Sequence, residues 1–183
     1  MNWKLVTTVF TISAIASINI TSTANRVKAQ EQTQEQVQFV CASSFDKTKN
    51  ERYPTTFAWT TRGKIAVLRW VSSMGSNFTP QNRCEKVSPR FQEAYNSGTL
   101  GLLTNGERNG QPVICTAREY GGSCDTLLMT LRPGDNSFLI LNELKDIFSG
   151  RQVGPVIHNS GTRKAYVDID FQEFLRNAPV EKE

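Results

Sequence analysis

The chain has 183 residues, 38% of them hydrophobic, with 21 Lys+Arg, 17 Asp+Glu, one His and four Cys. Its formal charge of +4 comes from dispersed side chains, which excludes the dense basic stripe that nucleic-acid binding requires. The length fits one domain of ordinary size after an N-terminal targeting segment is set aside.

That segment comes first. Lys4 precedes a mostly apolar stretch, Leu5 to Ile20 (LVTTVFTISAIASINI), and a polar stretch then ends in Val27-Lys28-Ala29. A basic start, an apolar middle and a small-residue ending are the marks of a secretory signal peptide. Residues 1–29 are therefore expected to be removed after Ala29, with an alternative cut after Ala24. The apolar stretch is shorter than the ~20 residues that span a bilayer and is polar for its length, which argues against an anchor. Gln38-Phe39-Val40, before Cys41, lacks the small residues of a lipoprotein signal. Removal takes Lys4, Arg26 and Lys28 and no acid, leaving 18 basic against 17 acidic side chains. The expected location is exported: the periplasm, a membrane periphery, the thylakoid lumen or the extracellular space.

Residues 30–36 are Gln/Glu-rich with little to bury and read as a disordered lead-in. Val37, Phe39 and Cys41 alternate as a first strand. Asp46 to Pro54 reads as a loop, Phe57 and Trp59 mark a second strand, and Thr61-Arg62-Gly63-Lys64 turns the chain into a third, Ile65 to Val71. Thr79 is a good helix cap and Pro80 suits the first helical position. Cys84, Val87, Phe91 and Ala94/Tyr95 then recur at helical spacing, so Cys84 shares a buried face. Pro89 either kinks or splits this helix, and Asn96-Ser97-Gly98 stops it. Asn105-Gly106 and Asn109-Gly110 signal turns between short strands. Leu127 to Leu131 is another strand. Asp135-Asn136 caps a second helix with Leu141, Leu144 and Phe148 on one face and Gly150 as its stop. Arg151 to Arg163 is loop-like. Val167, Ile169 and Phe171 alternate with Asp168 and Asp170 as an edge strand, and 175–183 reads as a frayed tail. The fold expected over 37–174 is a single, disulfide-stapled α+β domain, an antiparallel sheet built from hairpins with two principal helices.

Four cysteines in an exported chain read as two disulfides, with three possible pairings. Cys115 and Cys124 flank a segment with a Gly-Gly turn, which favours Cys115–Cys124 and leaves Cys41–Cys84 over a long loop. A catalytic cysteine needs a base, and the one histidine, His158, sits in a polar loop. The cysteines lack zinc-site spacing, and no phosphate loop or nucleophile elbow is present. No catalytic, cofactor-binding or metal-ligating set is expected. Asp168, Asp170 and Glu173 could gather oxygens for a hard cation, but the rest of a calcium loop is missing. Asn77-Phe78-Thr79 is a glycosylation sequon, although capping explains Thr79 better. Arg69 in an apolar strand is expected to pair with a carboxylate or stack on a ring. Trp59, Trp70, Phe78 and Tyr95 are mostly expected in the core.

The segments FVC (39–41), IAVLRWVS (65–72), FTPQNRC (78–84), VSPRFQ (87–92), GQPVIC (110–115) and GGSC…LLMTLRPG (121–134) resemble, in order, the cyanobacterial circadian oscillating polypeptide family. The resemblance runs from about Phe39 to Phe148 and leaves the stretch after Gly150 unmatched. It implies a cyanobacterial exported protein, peripheral to a membrane, with no established enzymatic activity, and all four cysteines fall in the shared motifs. The expectation is thus a non-enzymatic exported protein that binds a membrane surface or an envelope protein, without a cofactor. The alternative is a small extracytoplasmic enzyme or cation-binding protein using Asp168, Asp170 and Glu173.

Overall fold

The computed structural model describes residues 36–149 and 164–182, all within one compact unit. The expected signal peptide, the expected lead-in up to residue 35, the expected Gly150 stop and the expected 151–163 loop with His158 lie outside the described residues.

Two antiparallel sheets form. One has the order β1 (Gln38–Asp46), β2 (Glu51–Thr60), β3 (Gly63–Arg69). The other, built from β4 (Leu102–Arg108), β5 (Gln111–Thr116), β6 (Leu127–Thr130) and β7 (Tyr166–Asp168), has the order β6-β5-β4-β7. Helix α1 (Pro80–Asn96) packs on β1 and β2 and reaches β6. Helix α2 (Ser137–Phe148) packs on β4, β5 and β7, and α3 (Phe171–Asn177) follows β7. The α+β class, its hairpins and the two principal helices match expectation; among the described residues the strands form two sheets rather than one, and a short third helix is added. One buried cluster unites the layers, drawing Phe39 from β1, Phe91 from α1, Leu103 from β4, Leu141 from α2 and Phe171 from α3.

Helix α1 follows its sequence signals closely. The Thr79 side chain accepts from the Asn82 backbone N–H at 3.2 Å, and Cys84, Val87, Phe91, Ala94 and Tyr95 are buried. At its far end Gly98, at φ 70°, lets its N–H reach the Tyr95 carbonyl while the Thr99 N–H reaches that of Ala94. Pro89 does not split the helix, which is continuous from 80 to 96. Pro89 and Glu85 are both exposed, so water can serve the Glu85 carbonyl that loses its donor.

Several local readings are corrected. The expected 46–54 loop is instead the end of a long hairpin, with Asp46 opposite Glu51. The turn between them is held by the Asp46 carboxylate, which accepts from the backbone N–H groups of Thr48 and Lys49. That satisfied carboxylate has its pKa lowered by the two bonds. Asn105-Gly106 is not a turn. Asn105 lies inside β4, 3% exposed, donating to Ser137 Oγ and accepting from the Ala165 N–H. Tertiary bonding has overridden the local turn preference, whereas Asn109 and Gly110, at φ 53° and 72°, do make the β4–β5 turn.

The tail is not frayed. Asp170 caps α3 by accepting from the Glu173 N–H at 2.7 Å, and Phe171, Phe174 and Leu175 are buried. Val180 bridges to Ile65, and the Glu181 N–H reaches the Lys64 carbonyl. Arg62, on the β2–β3 turn, donates to the Leu175, Arg176 and Ala178 carbonyls and so closes the C-terminal end of α3.

Candidate functional site

The structure joins Cys41 to Cys84 and Cys115 to Cys124, with S–S distances of 2.02 and 2.00 Å. All four sulfurs are in bridges, so none is a thiol. Disulfides belong to an oxidising compartment outside the cytoplasm. Among the described residues no helix is long and apolar enough to cross a membrane.

The acidic trio is not gathered. Asp168 accepts from the Tyr120 hydroxyl, and Asp170 is spent on the α3 cap. Asp168 and Asp170 border one hollow beside Gly98 and Gly101, whereas Glu173 borders another beside Arg69 and Pro179. Among the described residues no three Asp, Glu, His or Cys side chains come together in a group that could hold a metal.

Arg69 does pair with a carboxylate, at 3.2 Å from Glu181, and its Nε donates to Ser44 Oγ. Glu181 lies in the segment read as frayed, so the sequence could not supply it as partner. Trp70 and Tyr95 are buried as expected. Trp59 and Phe78 are not, at 48% and 46% exposed. A register shift at Thr56/Phe57 breaks the two-residue alternation of β2, leaving Thr55 through Ala58 all inside and Trp59 out.

The feature with the most chemical content is a cleft of about 620 Å³ between α1, the 70–79 loop and the chain around β6. Its origin is in the geometry of α1. The buried stripe of that helix centres on Phe91. At 100° per residue, Arg83, Lys86 and Arg90 fall together on one flank of it, three and four positions apart. The other flank carries polar residues toward β1, where Gln92 takes the Phe39 N–H and gives to the Val37 carbonyl. The basic flank instead faces the opening. Arg132, just past β6, adds a fourth cation from the opposite wall. Trp70, Met74, Phe78, Val87 and Pro133 supply the apolar lining, and among the described residues no acidic side chain lines the cleft.

Three of the four cations have contacts that hold them in place. The Arg83 guanidinium lies 4.6 Å from the Trp70 ring centre and donates to the Ser72 carbonyl at 3.2 Å. Lys86 Nζ lies 5.0 Å from the Phe78 ring centre. Arg132 is 3.5 Å from Asp135, the nearest counter-charge. Burial first, then the Arg132 charge, lower the pKa of Arg83, with Asp135 opposing. A guanidinium stays charged regardless. The arrangement thus concentrates positive charge over an apolar floor, as an anionic ligand with an apolar part would require.

The family model described as circadian oscillating protein COP23 matches residues 38–176. The chain belongs to this family. The match runs from the first residue of β1 to the penultimate residue of α3, so it takes in every cleft residue and both disulfides. It also extends past the expected limit near Phe148, so Asp168, Asp170 and Glu173 fall within the family region. No curated protein and no solved structure matches the chain. Sequence reasoning missed the cleft because its opposite wall, with Arg132 and Pro133, lies about forty residues beyond the three cations of α1. The signal present was the R-x-x-K-x-x-x-R spacing from 83 to 90, legible once the buried stripe of α1 is drawn.

Proposed function

We propose that this COP23-family protein is an exported, non-enzymatic binding protein that attaches at a membrane periphery through the α1–β6 cleft. The observation that carries the reading is the charge asymmetry there: four cations line one opening, with no lining carboxylate among the described residues. Beside it, Val71 and Phe78 stand exposed on the 70–79 loop, where they can enter the interfacial zone of a bilayer. The two disulfides fit an extracytoplasmic site of action. Near a negatively charged surface each such cation is worth about 1 kcal/mol, and that attraction falls off within a Debye length.

Co-sedimentation with vesicles tests this. The expected result is binding to vesicles containing anionic lipid at low salt, release at high salt, and no binding to purely zwitterionic vesicles. Recovery wholly in the supernatant with anionic vesicles at low salt would remove the membrane form of the proposal.

A further inference from the structure

We infer that the cleft is a site for an amphiphilic organic phosphate: a phosphate-bearing head held by Arg83, Lys86, Arg90 and Arg132, with an apolar body on Trp70, Met74, Phe78 and Pro133. The inference rests on the reading of this cleft as the binding surface and adds the class of ligand.

Three features lead to it. The first is charge. Asp135 offsets Arg132 in part, and neither Lys86 nor Arg90 forms an ion pair among the described residues. A carboxylate would bring one negative charge and two oxygens. A phosphate monoester brings about two charges at neutral pH and three acceptor oxygens, which better match this excess. The second is donor type. Three of the four cations are guanidiniums, whose planar forks bind phosphate oxygens two at a time. The Arg83 fork is already fixed by the Trp70 ring and the Ser72 carbonyl, so little freedom is lost when it engages a ligand. The third is the division of the lining. Arg83 and Arg90 stand seven residues apart on α1, about 10 Å along its axis. The apolar side chains lie mainly on the loop wall and at Pro133. A bare ion would use the charges and leave the apolar wall in water, whereas an alkyl or aromatic phosphate covers both.

A membrane lipid headgroup and a soluble organic phosphate share this chemistry, and the experiment separates them. Calorimetric titration of the oxidised protein with hexyl phosphate is expected to give saturable one-to-one binding. Inorganic phosphate should bind at least about tenfold more weakly, and hexyltrimethylammonium not at all. The paired variant Lys86→Gln/Arg90→Gln removes two exposed or half-exposed charges without touching the core, so it should fold with an unchanged Tm and bind hexyl phosphate at least about tenfold more weakly. The charge-matched control Lys47→Gln/Lys49→Gln, two exposed residues of the β1–β2 turn that do not line the cleft, should bind as the natural chain does. Absence of saturable hexyl phosphate binding would overturn the inference, as would equal binding by the cleft variant and the control. If anionic vesicles bind the protein while hexyl phosphate does not, the ligand class is wrong and the membrane reading stands. If hexyl phosphate binds and vesicles do not, the site stands with a soluble ligand and the membrane reading falls.

Discussion

At the scale of single residues, buried polar groups meet at Thr56, whose hydroxyl oxygen accepts from two sides. Trp70 Nε1 donates to Thr56 Oγ1, which lies 3.1 Å from Ser88 Oγ, and Ser88 Oγ lies 2.9 Å from the Cys84 carbonyl. Ser88 Oγ is the donor to both Thr56 Oγ1 and the Cys84 carbonyl, so its one proton is shared between two buried acceptors. This line runs from β2 and the end of β3 into α1, beside the Cys84 bridge. Ser88→Ala removes this donor from the buried Thr56 hydroxyl and the Cys84 carbonyl and is expected to cost about 1–3 kcal/mol in urea unfolding. A cost near zero would mean that Thr56 finds another partner. Tyr120 tests a second residue-scale bond. Its hydroxyl donates to Asp168, and that bond raises its pKa above 10.0, ahead of desolvation and the Asp168 charge. A raised folded-state value favours the protonated phenol. Its stabilisation is fully present below the unfolded value near 10 and is lost as pH rises through the folded value. Asp168→Asn should therefore move the Tyr120 ring titration, followed by NMR, down toward its ordinary value. An unmoved titration would show that Asp168 is not its acceptor.

At the scale of elements, legibility in the sequence followed how local the deciding forces are. Helix α1 was readable because its cap, its proline start, its glycine stop and its apolar spacing agree with one another. Helix α3 was missed because Val167, Ile169 and Phe171 satisfy a strand alternation that also leads into a helix. The competing signal was Asp170 with Glu173, a cap pattern, ahead of Phe171, Phe174 and Leu175 at helical spacing. What fixes α3 is long-range: Phe171 lies 5.7 Å from Phe39 and 5.6 Å from Phe148 between ring centres, and Arg62 closes its end. Asn105 failed for the same reason, since its partners Ser137 and Ala165 are 32 and 60 positions away. The candidate site was the least legible, because one wall comes from α1 and the other from chain beyond β6. Pro89 offers a test at this scale. Proline in a helix interior costs about 3 kcal/mol when the lost bond is buried and the ring clashes are not relieved. Here the orphaned carbonyl faces water, and proline also stiffens the unfolded chain by about 0.4–1 kcal/mol. Pro89→Ala is therefore expected to raise stability by only about 1 kcal/mol while leaving α1 unbroken. A loss of stability would show that the proline's stiffening of the unfolded chain outweighs the helix bond it removes.

At the scale of the whole molecule, the two bridges do different work. Cys115–Cys124 closes a separation of 9 residues beside one sheet, whereas Cys41–Cys84 closes 43 and ties β1 to α1. In the chain-entropy account, restricting the unfolded chain contributes about 2.5 kcal/mol for the short loop and about 4 kcal/mol for the long one. The long bridge also clamps the helix whose free flank carries Arg83, Lys86 and Arg90, so it holds one wall of the cleft to the first sheet. The pair Cys41→Ala/Cys84→Ala should thus lower stability more than Cys115→Ala/Cys124→Ala, and should be the pair that weakens anion binding under mildly destabilising conditions. Denaturant unfolding of the two double variants gives the order directly. The reverse order would mean that local packing around Cys115, rather than closure of the long loop, dominates the contribution of the bridges. It would also mean that α1 keeps its place on β1 and β2 through Phe39, Phe91 and the Gln92 bonds alone, so that the cleft survives without its covalent tie.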